Sequence, residues 1–368
     1  MALATLKLGR RKASPIGLDI GARTVRAVQL VATGSSYSVE HVGRQTWQFN
    51  EEHEAKGRSP VVSSLARCMS GANFRGTGVH TAMNTPELEV HAIELPEGVV
   101  QSSPDEVERI VQWEVQRLTT RDHEPLETRY WHLPKARPSV PNAIGVAALT
   151  KTVVDAVTLC RDTGLMCVCV DVAATALARF GSVIAAWPEN CVWGILDLGF
   201  RHTRLVVCVD DVPVLVRDVG RGGDAWTRRI AEELQVSEKS AEVHKCDAGI
   251  GAGERGYREG SDRLPLKELG GVLAGIMKND LRAIATEIKR SYEYVLSCYG
   301  GREAGKLILV GGGAALHNLP EHLTEALGIQ VQRGSQLAAD TASRLEHGTI
   351  NSVHLDEYAL AIGLAIED

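Results

Sequence analysis

The stretch IGLDIGARTVRAVQL, residues 16–30, reads as an apolar strand, Ile16–Ile20, running into Asp19-Ile20-Gly21, a tight turn, and a second strand, Thr24–Val31. Residues 193–207, WGILDLGFRHTRLVV, restart the same pattern. There the strand Cys191–Leu198 ends in Asp197-Leu198-Gly199 and Thr203–Val209 follows. Strand, tight turn and strand make a hairpin. Two halves that open alike in pattern, though not in identity, indicate an internal duplication. Each strand fixes an Asp at its carboxyl end, and the glycine after it lets backbone N–H groups crowd around a phosphate. Two facing acidic turns can hold Mg²⁺ through water, because Mg²⁺ keeps most of its hydration shell. Asp19 and Asp197 are the candidates. Arg26, on the second strand of its hairpin, can reach phosphate oxygens. One Asp-X-Gly is ordinary turn chemistry; the signal lies in the pair.

Outward from the two hairpins, a third piece is LILVGGGAAL, residues 307–316. A triple glycine after an apolar strand lets a flat ligand approach the backbone closely. Ser38–Gln45, Gly78–Asn84, Glu127–Leu133, Asn142–Leu149, Cys167–Val170 and Val214–Val219 read as further strands. Arg58–Ser70, Lys151–Thr163, Ala225–Leu234, Leu281–Leu296, His322–Leu327 and Tyr358–Ile366 read as helices, and Val172–Phe180 as a short one ended by Gly181. Ser103-Pro104-Asp105-Glu106 is a helix start with a capping box. Val107, Ile110, Val111, Val115 and Leu118 then share one face. Residues 247–262, DAGIGAGERGYREGSD, hold five glycines and predict a flexible loop. Its GxGxxG has no strand before it and is no dinucleotide fingerprint.

The bulk properties bound the answer. A chain of 368 residues suggests two or three folded units, and 44% hydrophobic with 23% charged residues is globular. A net charge of -6 gives no reason to expect nucleic acid. No apolar run is long enough to span a membrane. The basic start lacks the apolar core of a secretory signal. The eight cysteines show no metal-ligand spacing and read as buried free thiols in a reducing cytoplasm.

Taken in order, IGLDIGARTVRAVQL, WGILDLGFRHTRLVV, VGRGGDAWTRRIAEEL (219–234), ILVGGGAALHNLPEHL (308–323) and YALAIGLAI (358–366) resemble the actin-like ATPase superfamily. AIELPEG with DEVERIVQWEVQRL within 92–118, VDVAATALAR (170–179), RGGDAWTRRIAEELQVSEKSAEVHK (221–245) and EIKRSYEYV (287–295) narrow the resemblance to the PilM family of type IV pilus assembly. The resemblance implies an α/β, actin-like (ribonuclease H-like) duplicated fold. Its two lobes enclose a nucleotide cleft, with a small α+β subdomain inserted. It places Asp19, Gly21, Thr24 and Arg26 on the first phosphate loop and Asp197, Gly199 and Thr203 on the second. Gly222 and Gly223 precede the following helix, and Gly311, Gly312 and Gly313 form the adenosine loop. Glu287 and Arg290 become candidate ribose and base contacts, and Asp171 a candidate for orienting the attacking water. The implied cofactors are ATP and Mg²⁺, the latter on Asp19 and Asp197 through water. The sequence departs from the family at Ala22 and Arg23, at Phe200, Arg201 and His202, and at Asn318, where glycine is usual. Arg26 stands where Lys is usual.

The same resemblance divides the chain into a basic arm 1–14, a first lobe 15–85 and 151–190, and an inserted subdomain 86–150. The second lobe is 191–235 and 301–335, with a small subdomain 236–300 and a closing segment 336–368 that returns to the first lobe. It implies a cytoplasmic scaffold recruited to the inner membrane, without insertion, by a short N-terminal peptide of a PilN-like pilus protein. That peptide would lie in the groove between the inserted subdomain and the first lobe. Self-association and weak ATPase activity are compatible with it. Alternatives of the same fold are an FtsA-like division protein, a type II secretion component and a small-molecule kinase. The chain ends without the amphipathic tail of the first, and no base beyond Asp171 supports the last.

Overall fold

β-branched and aliphatic residues dominate the two duplicated hairpins, and each seeds a sheet. The computed structural model describes residues 13–47, 60–100, 103–120, 124–138, 140–251, 266–341, 343–346, 348 and 352–367. In chain order the first elements are β1 (Ala13–Ile20), β2 (Thr24–Thr33), β3 (Ser36–Thr46), α1 (Pro60–Ser70), β4 (Gly78–Met83) and β5 (Leu88–Ile93). Next come α2 (Glu97–Val100), α3 (Pro104–Leu118), β6 (Leu126–His132), β7 (Ala143–Leu149), α4 (Thr150–Asp162), β8 (Met166–Val172) and α5 (Ala173–Ile184). The second half holds β9 (Cys191–Leu198), β10 (His202–Val209), β11 (Val212–Arg221), α6 (Gly223–Leu234), α7 (Glu238–Ala248), α8 (Leu266–Cys298) and β12 (Glu303–Val310). It closes with α9 (Leu319–Leu327), β13 (Val331–Arg333), α10 (Gly334–Asp340), β14 (Leu345–Glu346) and α11 (Ala359–Ala365). Short 3₁₀ turns cover Gly312–Ala315 and Ser352–Tyr358.

The duplication is topological. One sheet has the order β14-β3-β2-β1-β4-β8 and the other β11-β10-β9-β12-β13. In both, the first three strands of the half pair antiparallel. In both, the opening strand then pairs parallel with later ones. This is the actin-like duplicated fold. A third sheet, β5-β7-β6, is antiparallel and carries α3 on one face.

The two large sheets share a core. Val28 and Leu30 of the first and Trp193, Ile195 and Val206 of the second pack in one cluster around α5 and α11. The small sheet has its own core of Ile93, Val107, Val111, Val115 and Ala147. Its other face, Ile144 and Val146, packs against Val153 of α4 and Val170 of β8.

Several sequence expectations change here. Ser103 makes no side-chain cap; its carbonyl takes the Glu106 N–H at 3.0 Å, so no capping box forms. Leu118 leaves the apolar face and is exposed. Gly181 does not end α5, which runs on to Ile184, because the missing side chain makes room for the Trp193 ring. The long helix begins at Leu266, well before Leu281. Cys68, Cys160, Cys208 and Cys298 are buried thiols, but Cys169 and Cys246 are exposed, the former because β8 is an edge strand. Asp247 and Ala248 finish α7, while most of the glycine-rich loop lies outside the described residues, as does nearly all of the basic arm. Asn318 takes the left-handed conformation, φ 62°, that its side chain tolerates. Among the described residues no helix is long and apolar enough to cross a membrane.

Candidate functional site

Pairing within each hairpin brings an acid and a base face to face. Asp19 lies directly across β1–β2 from Arg26, with Nη1 3.3 Å from Oδ2. Asp197 lies directly across β9–β10 from Arg204, with Nη1 3.0 Å from Oδ2. The two pairs match because residues 18–26 and 196–204 carry one nine-residue pattern, Leu-Asp-(Ile/Leu)-Gly-x-Arg-x-x-Arg. Sequence reasoning took Arg26 from it and missed Arg204, although aligning the two hairpins finds it.

The glycine amides of both turns are engaged within the chain. The Gly21 N–H donates to the Thr24 carbonyl and the Gly199 N–H to the His202 carbonyl, both at 3.0 Å. The Gly222 and Gly223 N–H groups donate to the Arg201 and Gly199 carbonyls at 2.8 and 3.1 Å. The Thr203 hydroxyl donates to the Arg221 carbonyl at 2.9 Å, and Thr24 is buried. These glycines therefore serve close approach: a Cβ on Gly222 would overlap the Phe200 carbonyl.

The triple glycine converges on the same place from β12. Gly311, at φ 82°, donates its N–H to the Asp356 carbonyl at 2.8 Å. A Cβ on Gly311 would stand 2.5 Å from Asp197 Oδ1, and one on Gly312 3.9 Å from Arg26 Nη2. Arg26 also reaches Glu357 Oε2 at 3.5 Å, which takes a further hydrogen bond from Arg44 Nε at 3.2 Å. The Arg23 guanidinium lies over the Phe200 ring, 5.2 Å from its centroid, and joins the two acidic turns. Burial pushes the Asp19 carboxyl above its ordinary range; Arg26 opposes that, Asp197 adds to it and Arg204 opposes it. The second half thus lies within electrostatic reach of the first.

Asp171, Glu287 and Arg290 have side-chain partners of their own. Asp171 Oδ1 accepts from the Val172 N–H at 2.6 Å and from the Thr175 hydroxyl at 3.0 Å, while Oδ2 is paired with Arg179. It is held as a helix-start ligand for α5. Glu287 bonds Arg217 and Arg290 on the outer side of α8. A cluster that the sequence reading overlooked adjoins Gly223 instead. The Lys245 ammonium, in a buried residue, donates to the Gly223 carbonyl at 2.9 Å, to Thr227 Oγ1 at 2.7 Å and to Glu242 at 2.8 Å. Among the described residues no three of His, Cys, Asp and Glu gather into a metal-binding group.

A concave surface of about 420 Å³ is lined by none of the residues of the two acidic turns or the triple glycine. The small sheet lines it with Trp131 and His132, α5 with Ala178 and Arg179, and the start of β11 with Val212 and Pro213. Trp131 Nε1 donates to the Pro213 carbonyl at 2.8 Å across it.

The family model described as type IV pilus assembly protein PilM matches residues 17–260. Among solved structures, a PilM–PilN type IV pilus biogenesis complex superposes with a TM-score of 0.71 at 20% identity, covering 96% of this chain and 97% of that one. The ethanolamine utilization protein EutJ from Carboxydothermus hydrogenoformans gives 0.48 at 13% identity, covering 96% and 89%. MreB5 of Spiroplasma citri bound to ADP gives 0.45 at 11% identity, covering 95% and 94%. No curated protein matches the chain in sequence.

Proposed function

The chain belongs to the PilM family of type IV pilus assembly proteins, and on that premise we propose that it is the cytoplasmic actin-like scaffold of such an assembly. In this reading a phosphate-bearing nucleotide sits between the two duplicated hairpins. A short segment of a PilN-like inner-membrane protein docks between the small subdomain and the first lobe. The observation that carries the proposal is the family match over residues 17–260, joined to a fold that keeps both acidic turns and the glycine loop. The partner side is supported by the partly apolar concave surface beside Trp131, Ala178 and Pro213, which suits an extended peptide. Hydrolysis has little support, because Asp171 already has three internal donors.

The test is calorimetric titration of the full chain with a synthetic N-terminal peptide of its PilN-like neighbour. We expect saturable binding, weakened about tenfold by Trp131→Ala, the usual scale for losing a buried aromatic anchor. No binding by any such peptide would remove the scaffold reading. Equal binding by wild type and Trp131→Ala would move the peptide to another face.

A further inference from the structure

We propose that the cleft takes its phosphate-bearing ligand without a divalent cation, the guanidinium groups of Arg26 and Arg204 standing where a metal's charge would otherwise be needed. The inference rests on the reading of the cleft as a nucleotide site and specifies its chemistry.

Hydrated Mg²⁺ is held by carboxylates with charge to spare, usually one or two of them together with substrate phosphates. Here that charge is spent. Asp19 and Asp197 each face an arginine from the neighbouring strand at 3.3 and 3.0 Å. Glu357, the third acid at this point, is paired with Arg26 and Arg44 at 3.5 and 3.2 Å. The three carboxylates are thus matched by three arginines. Arg23, stacked on Phe200, and the exposed Arg201 add positive charge on the two turns. Among these described residues, three carboxylates stand against five arginines, so a polyphosphate meets an excess of cations.

A metal drawing on either Asp, directly or through water, would compete with its arginine for the same carboxylate charge, and Arg204 is buried. To bind phosphate, no such competition is required. Arginine presents five N–H donors in a planar fork matched to phosphate. The carboxylate partner occupies part of that fork and fixes its orientation. The Nε atoms of both Arg26 and Arg204 are buried without a hydrogen-bond partner among the described residues. The bare backbone at Gly312, 3.9 Å from Arg26 Nη2 at the nearest point a Cβ would occupy, leaves the approach open.

The duplication strengthens the argument. An arginine opposite one acid would be an isolated ion pair. The same arginine at the same register in both halves puts one guanidinium beside each acidic turn. A chain of phosphates could bridge them.

The experiment is titration of the full-length protein with ATP, and separately with inorganic triphosphate, in excess Mg²⁺ and again in EDTA. We expect ATP to bind equally in both buffers, within about threefold. Binding of triphosphate as well would assign recognition to the phosphate chain; binding of ATP alone would add a requirement for the nucleoside, and both outcomes support a metal-free site. An affinity that falls about tenfold or more in EDTA overturns the inference and leaves the nucleotide reading standing. No binding in either buffer overturns both. Arg204→Gln and Arg26→Gln should each weaken binding in EDTA about tenfold or more. Circular dichroism separates that loss from misfolding, and the wild-type comparison decides the matter without either variant.

Discussion

Asp19 is the residue at which burial and pairing contend. Its carboxyl accepts from Arg26, yet burial dominates and holds it above its ordinary range. A carboxyl raised in the folded state binds its proton more tightly there than in the unfolded chain. Its ionisation therefore works against folding at neutral pH, and that handicap fades as pH falls through the folded value. Asp19→Asn removes the handicap. We expect the variant to melt no lower than wild type at pH 7, with the difference between the two narrowing as pH falls toward 4. Thermal melts across that range check it. A clear loss of melting temperature at pH 7 would mean that the ion pair with Arg26 outweighs burial. At this scale the sequence was legible in part. Asp19, Arg26 and Asp197 stand out in their hairpins, but Glu357 does not, since chain folding alone brings a residue 331 positions away to Arg26.

The closing helix α11 is the element on which the two halves depend. It is built of small and aliphatic residues, ALAIGLA, and all seven are buried. It lies against β1 on one side and α5 on the other: a Cβ on Gly17 would overlap the Ala361 carbonyl, and one on Gly363 the Ala176 carbonyl. Backbone-to-backbone approach of this kind has no slack. Gly363→Ala should destabilise the protein by about 1–3 kcal/mol, the ordinary cost of overpacking, and more if α5 cannot shift. Chemical denaturation measures this. An unchanged midpoint would show that α5 and α11 can separate. The apolar period of this helix was plain in the sequence. Its need for glycine was not, because a close approach belongs to the pair of elements and neither encodes it alone. The same holds for Gly181, which sequence punctuation makes a helix end and the Trp193 ring makes a packing site.

At the scale of the whole molecule, the lobes are two sheets with one core between them. Val28 and Leu30 from the first sheet and Trp193 and Val206 from the second meet the same helices. Neither lobe can lose its packing without exposing apolar surface of the other. Scanning calorimetry should therefore show both lobes unfolding in one transition. Two resolved transitions, each assignable to a lobe by limited proteolysis, would contradict a shared core. The cleft inherits its geometry from this arrangement, since the acidic turns meet only because the sheets are held across α5 and α11.

What the sequence by itself determined is local: strand and helix periods, two Asp-X-Gly turns, the glycine loop, and the order of motifs that identifies the family. Those features depend on neighbours within a few residues, so spacing reveals them. The tertiary structure alone decided what each charge faces. It showed Asp19 and Asp197 already paired with arginines across their hairpins, Asp171 absorbed into the start of α5, and Lys245 with Glu242 gathered beside Gly223. Electrostatic partnership falls off with distance in space and is indifferent to distance along the chain. A sequence can therefore name the charged residues of a cleft, while only the fold says which of them remain free to meet a ligand.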